Sequence, residues 1–256
     1  MRFAVAHIIY EDWKKDMRNE RARKALLKDV IEQLARETPR VHLLVLPAGF
    51  IWTKRVRDCE PIATRVIRSL PDKHPAIAFG IDCRPSNNGS DKNESNSPPY
   101  FGYAVSHKSE KLVWNLRQQG AGSKHRINEK DLNISERIFK VSNKKIAFII
   151  CGEITTKALK SNGLRLPEFI SKEKDVDLFI DIAHGDKKIK PYGRSWFPAM
   201  KSTGKPCVIS EHIGSYYKSN GLYCENSKLG PDYSYRVKKP KSIGMNKYYL
   251  KIYDLP

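Results

Sequence analysis

The 256-residue sequence contains no run of eighteen apolar residues, so it lacks a segment that would cross a membrane as a helix. Its N-terminus has neither a charged region followed by a long apolar stretch nor a small-residue cleavage site, and it starts directly in a strand-like run at residues 2–9. A secretory signal is therefore not expected, and we predict a cytoplasmic protein. An internal repeat is also lacking.

Paired cysteines are missing as well. The chain has 5 cysteines, an odd number, and none belongs to a Cys-x-x-Cys motif. Neither a disulfide framework nor a standard zinc module is therefore indicated. Asp181, His184 and Asp186 form a polar group behind one apolar run, but one histidine among acids without fixed spacing is weak evidence for a metal. We predict reduced thiols, no metal and no cofactor.

Acidic residues are few compared with basic ones. The 28 aspartates and glutamates stand against 47 lysines and arginines, which gives a formal net charge of +19. Such a charge would attract nucleic acid, an anionic membrane or an anionic substrate. The basic residues are spread over the whole length, however, and no recognition helix, RNP or zinc-finger motif organises them. Nucleic-acid binding is an alternative that the sequence does not favour, and we expect no membrane contact.

Short apolar runs rich in valine, isoleucine and phenylalanine alternate with helical or turn-like stretches, which is typical of an α/β protein. We predict a single domain over residues 1–256, with a polar surface loop at 84–99 and an irregular segment at 214–247. The predicted strands are 2–9, 41–47, 76–82, 100–106, 111–116, 137–141, 145–151, 176–182, 206–210 and, as an edge strand, 248–253; the predicted helices are 14–37, 57–70, 154–170 and 194–203.

The segment 145–154 is the most informative one. Five apolar residues lead into Cys151, Gly152 frees the backbone, and a helix is predicted to begin soon after. A cysteine there is held by a rigid strand at the C-terminal edge of the sheet, where α/β proteins usually have their active sites. The helix N-terminus would help to stabilise a developing oxyanion. The alternative is that Cys151 is a small buried apolar residue, the commonest role of a cysteine.

The order of several segments resembles the nitrilase superfamily of carbon–nitrogen hydrolases. Residues 150–153, Ile-Cys-Gly-Glu, are similar to that family's cysteine motif, and residues 45–50 stand in register with its glutamate motif. The strand at 175–180 and the helix-strand unit at 196–213 resemble further family segments, so the resemblance covers roughly residues 2–213. It implies a nitrilase-like α-β-β-α sandwich, a homodimer, and hydrolysis of a small-molecule amide or nitrile by a Glu-Lys-Cys triad.

Two positions depart from the pattern of that family. Ala48 stands where the family has the glutamate that takes the thiol proton, and a methyl group accepts no proton. Gln118 stands at the position of the lysine; it can donate a hydrogen bond but brings no positive charge to an oxyanion. Lys124 follows nearby, and Glu129 resembles a second glutamate of the family. Together with Cys151, these four positions form the predicted catalytic set.

An active enzyme needs a substitute for the missing base, and Glu153, His184 and Glu129 are the candidates. We also predict that Glu153, His184 and Gly152 contact the substrate. The simpler interpretations are an acid at a helix N-terminus, a loop histidine and a surface charge. Because a general base contributes about 10²–10⁴-fold to the rate, the sequence leaves open a catalytically degenerate nitrilase-fold protein that acts in binding or assembly. A deliberate substitution at position 48 would leave the second departure unexplained.

Overall fold

Two β-sheets stacked face to face form the centre of the structure, and helices cover the outer face of each sheet. The computed structural model of the chain describes residues 1–10, 18–83, 100–106, 112–119, 126–128, 130, 132–158, 163–184, 198–210, 212–214, 234–235, 241–245 and 247–256. Within these residues, no helix is both long enough and apolar enough to span a bilayer.

The helices, in chain order, are α1 (Glu20–Ala35), α2 (Cys59–Arg68) and α3 (Leu166–Glu173). The strands, in the same order, are β1 (Arg2–Tyr10), β2 (Leu43–Val45), β3 (Ile51–Thr53), β4 (Ala76–Cys83), β5 (Tyr100–Val105), β6 (Leu112–Arg117), β7 (Arg126–Ile127), β8 (Ile138–Val141), β9 (Lys144–Ile150), β10 (Lys157–Ala158), β11 (Leu178–Ile182), β12 (Cys207–Ser210), β13 (His212–Gly214), β14 (Ser234–Tyr235), β15 (Lys241–Gly244) and β16 (Tyr248–Asp254).

The larger sheet has the strand order β15-β16-β1-β2-β4-β5-β6, with β13 beside β1 and β3 beside β4. Its strands β1, β2 and β4 are parallel, whereas β16, β5 and β6 run antiparallel to their neighbours. The smaller sheet has the order β14-β12-β11-β9-β8, and its three central strands are parallel. Parallel strands bring their carboxyl ends to one edge, which is where functional side chains collect.

Alternate residues of the central strands enter different layers of the core. In β1, Phe3 and Val5 pack between the two sheets, whereas Ala4 and Ala6 face α1 and α2. In β9, Phe148 lies between the sheets and the residues on either side of it face α3. Both faces of these strands are buried, which explains why their sequences are apolar without alternation. The predicted α-β-β-α sandwich is confirmed.

Helix α1 shows how the charged sequence after β1 is folded. Asn19 caps the helix, because its side-chain oxygen accepts a hydrogen bond from the amide of Ala22 at 3.0 Å. Leu27, Ile31 and Leu34 follow at helical spacing on the buried face, and charged residues occupy the solvent face. The predicted helix at 14–37 is therefore found, with its first residues outside the described part of the chain.

The predicted helix at 154–170 is wrong at residues 154–158 and 163–165, and residues 159–162 lie outside the described part of the chain. A 3-10 helix at Cys151–Thr155 and the short strand β10 occupy the first of these stretches, and α3 begins only later. The hydroxyls of Thr156 and of the residue before it both donate to the carbonyl of Gly152 at 3.3 Å, which competes with helical hydrogen bonding. Pro167 then lies in the first turn of α3, where a proline is favoured.

The segment predicted as irregular, 214–247, contains two short strands. β14 pairs with β12, and β15 pairs with β16 so that Ile243 stands opposite Leu250. The predicted edge strand at 248–253 is therefore the second strand of the larger sheet, with β15 at the edge. Of the predicted helix at 194–203, residues 198–203 are described, and 198–201 are helical. The predicted loop at 84–99 lies outside the described residues.

Candidate active site

Cys151 stands at the carboxyl end of β9, where the strand gives way to the 3-10 helix. Its φ is +47°, a left-handed conformation that costs a non-glycine residue about 1–2 kcal/mol. The side chain is half-buried and packs in part against the core between the sheets. A strained backbone that presents a nucleophile on a sharp turn at a strand end is a recurring feature of α/β active sites.

The carboxylate of Asp82 and the imidazole of His184 come from opposite sheets and meet in the core. Asp82 lies near the end of β4, and His184 follows the end of β11. The distance from His184 Nε2 to Asp82 Oδ2 is 2.6 Å, and neither residue is more than 9% exposed. Ile182 of β11 pairs with Ile150 of β9, so His184 emerges beside the residue that follows β9.

Cys151 and His184 follow neighbouring strands, and their side chains interact electrostatically. Burial opposes the charged form of the imidazole, but the negative charges of Asp82 and of a Cys151 thiolate, and the hydrogen bonds with both, outweigh that effect. The pKa of His184 is therefore raised well above its usual value of 6.5. A thiol, a histidine and a carboxylate that orients the histidine form the arrangement that activates a sulfur nucleophile.

Ala48 is buried in the core between the sheets at 1% exposure. The backbone around it lies against β4: a Cβ added to Gly80 would come within 2.4 Å of the Ala48 Cα. Gly49, at φ +62°, is as closely packed, since a Cβ there would lie 2.8 Å from Asp82 Oδ2. The carboxylate of Asp82 thus lies directly beside the position at which the nitrilase pattern has its glutamate.

The carboxylate of Glu153 joins three segments around the reactive cysteine. It forms a two-point ion pair with Arg137, with both N–O distances 2.8 Å and both side chains fully buried. It also accepts hydrogen bonds from the amide of Ile150 at 2.9 Å and from that of Gln119 at 2.6 Å. With these four bonds Glu153 acts as an anchor for the end of β9, which differs from the base or substrate contact predicted for it.

Gln118 is buried at 1% exposure directly after β6. Its neighbour Gln119 is the residue whose amide Glu153 holds, and Glu153 also holds the end of β9. The segment that carries Gln118 is therefore fixed near the cysteine, as the resemblance implies for the lysine position. Lys124 and Glu129 lie outside the described residues, so their catalytic roles stay predictions.

The backbone around the cysteine is also held by side chains. The amide of Cys151 donates to Asp181 Oδ1 at 3.1 Å, so Asp181 fixes the turn itself. The carbonyl of Gly152 accepts from two threonine hydroxyls, which directs its peptide plane. The predicted polar group around Asp181 and His184 is thus divided between two roles, and its third member, Asp186, lies outside the described residues.

Two further buried polar side chains lie nearby: His212 interacts with His184, and Arg23 interacts with His212. His212 of β13 is 2% exposed, and Arg23 of α1 is 4% exposed with its guanidinium 5.7 Å from the centre of the Phe50 ring. Burial lowers the pKa of His212 well below its usual value, and the positive charges of Arg23 and His184 lower it further. The surroundings of His212 therefore favour its neutral form, whereas those of His184 favour the charged form.

The stacked sheets and the outer helices form a fold that is similar to solved structures of the nitrilase superfamily. Saccharomyces cerevisiae Nit3, a member of branch 10 of that superfamily, is similar with a TM-score of 0.52 and 8% identity over 99% of this chain and 90% of its own. The Caenorhabditis elegans NitFhit protein has a TM-score of 0.52 and 12% identity over 99% of this chain and 61% of its own. A carbon-nitrogen hydrolase from Helicobacter pylori G27 has a TM-score of 0.46 and 9% identity over 84% of this chain and 75% of its own.

The sequence matches no protein-family model and no curated protein. At identities of 8–12%, the structural likeness establishes the fold alone. The chemistry of the site therefore depends on the side chains of this chain. Asp82 is the site residue that sequence reasoning missed; the signal for it was a single carboxylate inside the otherwise apolar run at 76–83.

Proposed function

We propose that the protein is a cysteine-dependent hydrolase of a small carboxamide or a related carbon–nitrogen substrate, with Cys151 as the nucleophile. The observation that carries the proposal is the placement of a half-buried thiol on a left-handed turn, where it interacts with His184. A cysteine that only filled the core would not need a strained backbone or a buried charged partner. The nitrilase-superfamily fold supports the carbon–nitrogen substrate class.

The reaction begins with attack of the Cys151 sulfur on the carbonyl carbon of the substrate. The C–N bond of the tetrahedral intermediate breaks, the amine or ammonia leaves with a proton, and a thioester with the enzyme remains. Water then attacks the thioester carbonyl, which releases the acid and restores the thiol. The amide of Gly152 and the side chain of Gln118 are our candidates for stabilising the oxyanion, because the Cys151 amide is engaged by Asp181.

The proposal is tested with purified protein and a panel of small primary amides and nitriles. We expect turnover of at least one amide by the natural chain and none by Cys151→Ala. Iodoacetamide at neutral pH should alkylate Cys151 faster than the buried Cys59, Cys83 and Cys207, and alkylation should abolish turnover. Cys207→Ser is a matched control with an intact reactive thiol.

Equal, slow alkylation of all five cysteines, with no turnover of any substrate, would instead identify a degenerate nitrilase-fold protein. We further propose that the protein is a homodimer, as the resemblance implies. Sedimentation equilibrium distinguishes a dimer from a 29.4 kDa monomer.

A further inference from the structure

We infer that Cys151, His184 and Asp82 form a catalytic triad, in which a histidine and an aspartate from two different sheets replace the glutamate base that position 48 lacks. This inference rests on the proposed function and adds to it the identity of the base and of its orienting carboxylate. Its geometric basis is the 2.6 Å bond between His184 Nε2 and Asp82 Oδ2, beside a cysteine at the end of the neighbouring strand.

The bond between His184 Nε2 and Asp82 leaves the other ring nitrogen, Nδ1, for proton exchange with the thiol. Asp82 accepts from Nε2 of His184, so the proton of the thiol passes to Nδ1 of the same ring. The carboxylate fixes the ring orientation and stabilises the imidazolium that forms. Asp82 is held in turn by the close approach of the Gly49 backbone, which a side chain at that position would prevent.

The pair also supplies the two charge types that positions 48 and 118 lack. Positions 48 and 118 carry an alanine and a glutamine where the nitrilase pattern has an acid and a base of opposite charge. Asp82 supplies a buried negative charge and protonated His184 a buried positive one, with 2.6 Å between the nitrogen and the oxygen. A cation next to the sulfur stabilises the thiolate and is in place to protonate a leaving nitrogen.

The complete cycle balances with water as the second reactant. The thiolate forms an S–C bond with the carboxamide, and the imidazolium of His184 transfers its Nδ1 proton to the departing nitrogen as the C–N bond breaks. Neutral His184 then takes a proton from water while the new O–C bond forms and the S–C bond breaks. Thiolate and imidazolium are regenerated, and the net reaction is carboxamide plus water to carboxylic acid plus amine.

The groups that face His184 bear on the pH dependence of this cycle. They are Asp82 from β4, Cys151 after β9 and His212 from β13, and Asp181 lies on β11, three residues before His184. Only Cys151 and His184 exchange the proton in the mechanism. Removing His184 should therefore change the pH profile of sulfur reactivity, which a change in packing alone would not do.

The test compares His184→Gln and Asp82→Asn with Cys151→Ala. Two exposed residues give matched controls: His42→Gln, at the opposite end of the larger sheet, and Asp72→Asn, in the turn before β4. Each variant is assayed for amide turnover and for the rate of alkylation by iodoacetamide across the pH range, after circular dichroism has established that it is folded. Asp82→Asn keeps the size of the side chain, so it serves if His184→Gln does not fold.

We expect His184→Gln and Asp82→Asn each to lower kcat/KM by about 10²–10⁴-fold. At mildly acidic pH, both should also slow the alkylation of Cys151 by about tenfold or more. The control variants should behave like the natural chain. Slow alkylation of Cys151 in folded His184→Gln, at a pH where the natural chain reacts fast, supports the triad whether or not a substrate has been found.

Two outcomes separate the triad from the proposed function. If Cys151→Ala is inactive but the His184 and Asp82 variants keep natural turnover and alkylation, the nucleophile stands and the triad is overturned. If no protein hydrolyses any substrate, the hydrolase assignment fails, and the alkylation profiles alone decide whether His184 activates the sulfur. Equal profiles for the natural chain and His184→Gln overturn the triad in that case as well.

Discussion

Asp82 places a carboxylate beside position 48 without occupying that position. A glutamate introduced by Ala48→Glu would bring a second negative charge into a buried site next to Asp82. Because an unpaired buried charge is costly, we expect Ala48→Glu to lower the free energy of unfolding by at least about 2 kcal/mol and to give no gain in turnover. Urea denaturation and the amide assay measure the two effects. Turnover that appears only in Ala48→Glu would instead identify the natural chain as catalytically silent.

The Asp82 carboxylate packs against Gly49, where a side chain would collide with it. The substitution Gly49→Ala tests this contact. The new methyl group would lie 2.8 Å from Asp82 Oδ2, so the carboxylate has to move away from His184. We expect the loss of kcat/KM seen with Asp82→Asn, together with about 1 kcal/mol of lost stability from the backbone strain at φ +62°. Gly163→Ala is the control, because Gly163 has φ +75° but no described atom within 4 Å of an added Cβ. Equal loss of activity in both variants would contradict the contact.

At the scale of elements, the buried pair of Glu153 and Arg137 connects the end of β9, the segment after β6 and the 3-10 helix before β8. Glu153→Gln leaves the guanidinium of Arg137 buried without its charge partner, so we expect a loss of about 3–5 kcal/mol in the free energy of unfolding. The exposed pair Lys28–Glu32 gives a matched control: Glu32→Gln should cost about 0.5 kcal/mol or less. Urea denaturation measures both, and similar losses would contradict the anchoring role.

The strands were predictable because they are buried on both faces, which leaves continuous apolar runs such as β4 and β9 in the sequence. The helix predicted at 154–170 is found only from residue 166 onward, and at its predicted start threonine hydroxyls donate to the carbonyl of Gly152 in competition with helical hydrogen bonds. Strands β3 and β15 are three or four residues long, too short for a periodic pattern. Among the site residues, Cys151 and His184 followed from their places after apolar strands. Asp82 did not, because its meeting with His184 depends on how the two sheets stack.

At the scale of the whole molecule, buried histidines contribute to the dependence of the free energy of unfolding on pH. Burial lowers the pKa of His7 and His212 well below 6.5 in the folded protein. Below about pH 6.5 the unfolded chain therefore binds more protons than the folded protein. As the pH is lowered in this range, each of these histidines reduces the free energy of unfolding by up to about 1.4 kcal/mol per pH unit. His184 has a raised pKa in the folded protein, so it stabilises the fold. This contribution to the free energy of unfolding is complete below about pH 6.5 and is lost as the pH rises through the pKa of the folded state.

We therefore expect the contribution of these groups to be greatest near pH 6.5, the usual histidine value. The free energy of unfolding, measured by urea denaturation between about pH 5 and pH 6.5, should change less steeply with pH for His212→Gln than for the natural chain. His42→Gln, which changes an exposed histidine, should keep the natural slope. An unchanged slope in His212→Gln would contradict a neutral, buried His212.

The bond between Asp82 and His184 crosses from one sheet to the other over 2.6 Å. The smaller sheet carries both Cys151 and His184, but the carboxylate that orients His184 belongs to the larger sheet, so the proposed triad is complete only when the two halves of the sandwich dock. A folding intermediate with only the smaller sheet finished would have the thiol and its histidine without the carboxylate that holds the ring, so we expect its sulfur to react more slowly than in the native protein.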